Sequence, residues 1–280
     1  MSSAETGNAA LLTLTSDFGL ADPYVGAMKG VILGLNPRAI IVDLSHEVRP
    51  QRLLQAVYIT QAAWPFFPPD AIHVVVVDPG VGTERRAVAL VAPGGCFLGP
   101  DNGALSAALP DEPRMAAGSG AAPVALPVGC RAFAITNRRY LREPVSATFH
   151  GRDVFAPAAA HLSLGVAPER LGEPVRELIA LPPLRAQRRP DGTLRAQVVH
   201  IDRFGNVVLD ARGEDLPEGA FTVELVGHIV PGPVRTYAEA TGPAALVGSS
   251  GYLEVALPNG SAAAALGVDV GDEAFLRPGT

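Results

Sequence analysis

Through the first half of the chain short apolar runs alternate with amphipathic ones, the pattern expected of an α/β layer structure. Leu11 to Thr15, Ala39 to Leu44, Ile72 to Val77, Ala87 to Val91 and Ala132 to Thr136 are the expected strands. Between the first two, Val25, Met28, Ile32 and Leu35 recur at three- and four-residue spacing and predict a helix that stops at Asn36-Pro37. Leu53, Leu54, Val57, Tyr58 and Ala62 predict a second, ending near Trp64-Pro65. Asp153 to Leu164 predicts a third, with Asp153 near its N-cap.

A polar, proline-rich passage from Leu181-Pro182-Pro183 to Arg188-Arg189-Pro190-Asp191-Gly192 breaks this rhythm and is read as a linker, residues 183–193. Beyond it the runs Arg195 to Ile201, Val207 to Leu209, Phe221 to Val226, Ala244 to Val247, Leu253 to Val255 and Ala274 to Leu276 are short, β-rich and punctuated by Gly and Pro. The expected fold class is an α/β N-terminal domain (1–182) with a central, mainly parallel sheet. A smaller all-β, barrel-like C-terminal domain (194–280) follows it.

Composition narrows the function classes. Hydrophobic residues make up 48% of the 280 and charged ones 18%, which excludes disorder and fits a compact fold that forms a homo-oligomer. The net charge of -6, with Lys and Arg scattered singly or in pairs, supplies no basic stripe, so nucleic acid is not an expected partner. No apolar run approaches the ~18 residues of a membrane span, and the N-terminus lacks the regions of a signal peptide; a cytoplasmic protein with no membrane partner is expected. Cys96 and Cys130 lie outside any zinc-spaced cluster, so no metal is assigned from them.

Polar groups collect where strands stop. Asp17 follows the first strand, Asp78 the third, and Asp101-Asn102 follow the apolar step Cys96 to Leu98. Ligands bind beyond the carboxyl ends of strands in open α/β sheets, so these positions converge if the strands run parallel. Each also has a plain structural reading. Asp17 and Asp22 can cap the next helix, Asp101-Asn102 can form a turn, and Asp78 can make a surface ion pair with Arg85. The segment Asp78-Pro79-Gly80-Val81-Gly82-Thr83-Glu84-Arg85-Arg86 lets backbone approach a ligand but lacks the ending of a Walker loop. In Phe149-His150-Gly151-Arg152-Asp153 an imidazole precedes a helix start, where a proton-transfer role near neutral pH is available to it. Asp202-Arg203-Phe204-Gly205-Asn206 reads as a hairpin turn with an aromatic tip.

Taken together, Thr15 to Gly19, Asp78 to Arg86, Gly99 to Gly103, Phe149 to Asp153, Asp202 to Asn206 and Gly251 to Glu254 resemble the S-adenosylmethionine hydroxide adenosyltransferases, relatives of the fluorinating and chlorinating enzymes. The resemblance spans nearly the whole chain. It implies hydrolysis of S-adenosyl-L-methionine to adenosine and L-methionine, without a cofactor or metal. It also implies a homotrimer whose sites lie between the N-terminal domain of one subunit and the C-terminal domain of its neighbour. By position it assigns catalysis to Asp78, Arg85 and His150. Substrate binding falls to Asp17 at the ribose, Phe204 and Asn206 at the adenine, Asp202 at the methionine amino group and Ser249 at its carboxylate, with Asp22, Phe149 and Glu254 alongside. Where the halogenating enzymes carry an arginine this chain has Ser250, and where they carry a tyrosine it has Asp78.

Three other readings stand beside this one: halide transfer to the same substrate, a sensor that binds it without turnover, and metal-dependent phosphoester hydrolysis by Asp17, Asp78, Asp101 and His150. A carboxylate at position 78 opposes a halide and favours water.

Overall fold

The computed structural model describes residues 10–279 and divides between Pro183 and Leu184 into two compact units. Along the first run β1 (Leu11–Ser16), α1 (Tyr24–Leu35), β2 (Ile40–Ser45), α2 (Leu53–Ala63), β3 (Ile72–Val76), β4 (Ala87–Ala92) and β5 (Gly95–Pro100). The one-turn α3 (Asp111–Arg114), β6 (Ala122–Ala125), β7 (Arg131–Ala134), α4 (Ala156–Ser163), β8 (Pro174–Val175) and β9 (Glu177–Ala180) complete it.

Its main sheet has the order β2-β1-β3-β5-β4-β7-β8. The neighbours β2, β1, β3 and β5 are parallel, and each later pairing is antiparallel, so the sheet is mixed. The carboxyl ends of β1, β3 and β5 therefore share one edge, with Asp17, Asp78 and Asp101 just beyond them. β3 serves two cores by the two-residue period of a strand. Ile72, Val74 and Val76 join Leu12, Leu14, Met28, Ile32 and Phe155 on the α1/α4 side, and Val75 and Val77 join Val88, Leu90, Phe97 and Ala56 on the other. Burial on both faces is why it is apolar throughout except for the buried His73.

Helix α1 buries Val25, Met28 and Ile32, the expected stripe, whereas Leu35 is partly exposed. The third helix departs from expectation. A π turn at Gly151–Phe155 precedes α4, and Asp153 sits fully buried within that turn instead of capping a helix.

The second unit holds β10 (Gln187–Arg188), β11 (Leu194–Ile201), β12 (Val207–Arg212), β13 (Phe221–Leu225), β14 (His228–Gly232), β15 (Ala244–Val247), β16 (Tyr252–Ala256), α5 (Ala262–Leu266) and β17 (Glu273–Pro278). An antiparallel sheet of order β14-β13-β17-β11-β12-β16-β15 curls until Val234 N–H, just after β14, donates to Ala245 O of β15 at 2.9 Å, giving a nearly closed barrel. Val198, Leu209, Val223, Leu253 and Leu276 fill it, while Arg195–Glu273 and Arg277–Glu224 pair on the outer face. Much of the passage read as a linker belongs to this unit. Leu184 is buried, Gln187–Arg188 pair with β11, and Arg189 N–H donates to Thr193 O.

Asp210 on β12 accepts the Gln197 N–H at 2.6 Å, and burial pushes its pKa up to about 6 against that bond and the Arg195 charge. The folded state holds this proton more tightly than the unfolded chain. Stability therefore falls as pH rises from about 4 to about 6 and stays lower above that. Asp210→Asn keeps an acceptor and removes the charge, so it should raise Tm by a few degrees at pH 7.5 and much less at pH 4. Melts followed by circular dichroism check this; an equal shift at both pH values refutes it.

Candidate active site

β1 and β3 deliver Asp17 and Asp78 to an open cavity of about 360 Å³ that Phe18, Tyr24, Gln51, Phe149 and His150 also line. Arg85 lies behind Asp78. Its Nε donates to Asp78 Oδ1 at 2.9 Å, its terminal nitrogen donates to Asp78 Oδ2, and that nitrogen also lies 2.7 Å from His150 Nδ1. The guanidinium rests 5.7 Å from the Phe155 ring centre. The Arg85 and Asp78 side chains are only 10% and 6% exposed, so this is no surface ion pair of small worth.

The local sequence explains how the groups meet. Beyond β3 the chain turns at Asp78-Pro79-Gly80, with Val81 N–H donating to Asp78 O and Thr83 N–H to Gly80 O, which sends Arg85 back toward Asp78. Gly82, at φ +79°, lies against the loop that carries His150; a Cβ there would stand 2.4 Å from Ala147 O. That loop hangs from buried Asp153, whose carboxylate accepts from Arg152 Nε and its terminal nitrogen at 2.7 Å each and from Ser146 N–H at 2.9 Å. Gly151 has no side chain where a Cβ would press within 3.1–3.2 Å of Met28 Sδ and the Phe18 and Phe149 rings.

Charge states follow from the bonds. Arginine has only donors, so His150 Nδ1 accepts and the ring is neutral with its proton on Nε2. Burial first, and the Arg85 charge second, hold His150 below the usual imidazole range, against the opposing pull of Asp78 and Asp153. Asp17 is pushed above the usual carboxylate range by burial, opposed by the Gln51 N–H bond at 2.9 Å and helped by the charge of Asp78.

Of the other expected positions, Phe149 lines the cavity; Asp22 is exposed and does not, and α1 begins after Pro23 without a side-chain cap from Asp17 or Asp22. Asp101 accepts from Arg86 and from Ile179 N–H, and Asn102 donates to Val77 O, so both build structure. The assignment of Asp101 to a metal site with Asp17, Asp78 and His150 is thereby weakened. Among the described residues no three His, Cys, Asp or Glu side chains gather to hold a metal ion. Cys96 is partly buried against the α1/α4 core, and desolvation pushes its thiol up to about 12, which keeps it in the weakly nucleophilic protonated form.

In the second unit Asp202 Oδ1 accepts from Phe204 N–H and Asn206 N–H, and Oδ2 from Asn206 Nδ2, shaping a turn that leaves Phe204 77% exposed. Glu254 is buried and accepts from Tyr237 Oη at 2.9 Å, and Ser249 is exposed. Sequence reasoning missed Tyr24 and Gln51. Tyr24 had a faint signal, an aromatic just outside the apolar stripe of α1, whereas Gln51 contributes through its backbone, at φ +66°, and had none.

Models of the S-adenosylmethionine (SAM) hydroxide adenosyltransferase N-terminal and C-terminal domains match residues 12–172 and 196–275. The chain belongs to the SAM hydroxide adenosyltransferase family. A Thermus thermophilus protein named (R)-S-adenosyl-L-methionine hydrolase is 44% identical, covering 91% of this chain and 95% of its own. A fluorinase of an Actinoplanes species is 23% identical, over 88% of this chain and 90% of its own. A solved structure of a conserved protein from Thermotoga maritima superposes with a TM-score of 0.80 at 30% identity, covering 96% of this chain and all of that one. Among the described residues no helix is long and apolar enough to cross a membrane.

The contact between Gly82 and Ala147 yields a test. Gly82→Ala places a side chain in a left-handed conformation, costing about 1–2 kcal/mol, and drives it into a backbone oxygen. Tm should fall by several degrees and turnover by more than the folded fraction accounts for, because the His150 loop must move. Unchanged melting and activity would refute the coupling.

Proposed function

We propose that the cavity binds S-adenosyl-L-methionine and that water attacks carbon 5' of its ribose. The C5'–O bond forms as C5'–S breaks, sulfur keeps the electron pair and leaves as the neutral thioether of L-methionine, and one water proton is released. The observation that carries this reading is the joined Asp78, Arg85 and His150 set on the wall of a cavity that also holds Asp17. The 44% identical relative named as a hydrolase supports it.

The geometry supports the following roles. Asp17 accepts the ribose hydroxyls. Because His150 Nδ1 is engaged by Arg85, its Nε2–H donates to the attacking oxygen, and Asp78 is the acceptor that orients the water; Arg85 fixes both and offsets developing hydroxide charge. A sulfonium departs without protonation, so the reaction calls for no acid, metal or cofactor at the leaving group. Halide transfer is disfavoured by the Asp78 carboxylate, and a pure sensor has no use for the Asp78–Arg85–His150 set. The relative's name specifies the R configuration at sulfur, and we assign the same preference here. Asp202, Phe204, Asn206, Ser249 and Glu254 act as adenine and methionine contacts in a homotrimer, which light scattering on the purified protein tests.

Incubation with substrate in ¹⁸O-water, with and without chelator or halide, should give adenosine labelled at the 5'-hydroxyl under every condition. A halogenated nucleoside, or loss of activity with chelator, would overturn the reading. Asp78→Asn should lower kcat by about 10²–10⁴-fold with little change in KM; equal losses in both would remove its assigned role. The R epimer should be consumed faster than the S.

Acid should switch activity off through His150, since protonation places a hydrogen on Nδ1 against a guanidinium. Its pKa is lowered, so kcat should hold as pH falls through the ordinary imidazole range and drop only below it. Loss of kcat at or above that range would contradict the tautomer.

A further inference from the structure

We propose that the rings of Phe18, Tyr24 and Phe149 form a cation-recognising wall that reads the positive charge of the sulfonium, an inference that rests on the substrate reading above. All three line the cavity, and their centroids stand 5.7, 5.8 and 5.1 Å apart at tilted to perpendicular angles. Ring faces carry negative potential and attract an onium group within about 6 Å. Phe149 already holds one cation this way, the Arg152 guanidinium 5.1 Å from its centroid.

The charges around the wall agree. No lysine or arginine lines the cavity, and the Arg85 charge is matched by Asp78. The Asp17 carboxylate lines the same cavity and accepts the Gln51 N–H. A positive, apolar-skirted group is what such a cavity favours.

The wall has a kinetic signature. Sulfur loses its charge as the C5'–S bond breaks, so the rings stabilise bound substrate more than the transition state, and weakening them should cost affinity without slowing chemistry. Tyr24, partly exposed at the start of α1, is the ring whose replacement the fold tolerates best.

The experiment compares inhibition constants of neutral 5'-methylthioadenosine and its S-methyl sulfonium on the whole protein, wild type against Tyr24→Phe and Tyr24→Leu, with Phe18→Leu as a second variant. Calorimetry with adenosine runs alongside. Wild type should prefer the sulfonium by about tenfold, Tyr24→Phe should keep that ratio, and the leucine variants should lose most of it. Reading a ratio cancels any general loss of affinity. In Tyr24→Leu, kcat should equal or exceed that of wild type while KM rises. A wild-type ratio near one, a ratio unchanged by leucine, or kcat falling in step with affinity overturns the wall. If adenosine itself does not bind, the substrate reading fails and takes the wall with it; adenosine binding with a ratio near one overturns the wall alone.

Discussion

One guanidinium joins the parts of this site. Arg85 reaches from the far limb of the turn after β3, holds both oxygens of Asp78 at the near limb, and continues to His150 on a loop more than sixty residues later in sequence. Five donors in a rigid plane and no acceptor make arginine suited to this, because the same group fixes a carboxylate and dictates an imidazole tautomer. A lysine would hold the charge but not both orientations. What surrounds Arg85 serves to bring those two partners within its span: the glycine that lets turn and loop touch, the buried Asp153, and the Phe155 ring beneath the guanidinium.

The sheet gives that arrangement its footing. β3 is gripped by two cores at once, so the point where Asp78 leaves it is set from both sides. β1 lies beside it in parallel register, Leu14 with Val74 and Ser16 with Val76, which fixes Asp17 relative to Asp78. The two carboxylates are therefore spaced by backbone hydrogen bonding, leaving the side chains only short distances to cover.

Much of this was legible in the sequence. Both-face burial gave strands that were hard to miss, such as Ile72 to Val77, and the stripe Val25, Met28, Ile32 marked α1. The clustering of Asp17 with Asp78 was visible once parallel strands were assumed. Less legible were features set by tertiary contact. Gly95 to Pro100 is too rich in Gly and Pro to read as a full strand, yet it pairs on both sides. The passage 183–193 looked like a linker because its ordering comes from pairing with β11 and not from its own periodicity. Asp153 looked like a helix cap, since composition cannot distinguish a carboxylate that ends a helix from one buried inside a π turn among arginines.

That buried carboxylate also bears on how a ligand arrives. A loop tied down by Asp153 is ordered when the chain folds, so its conformational entropy has already been lost before any small molecule approaches. On the His150 side of the cavity, ligand binding therefore does not have to meet that ordering cost again.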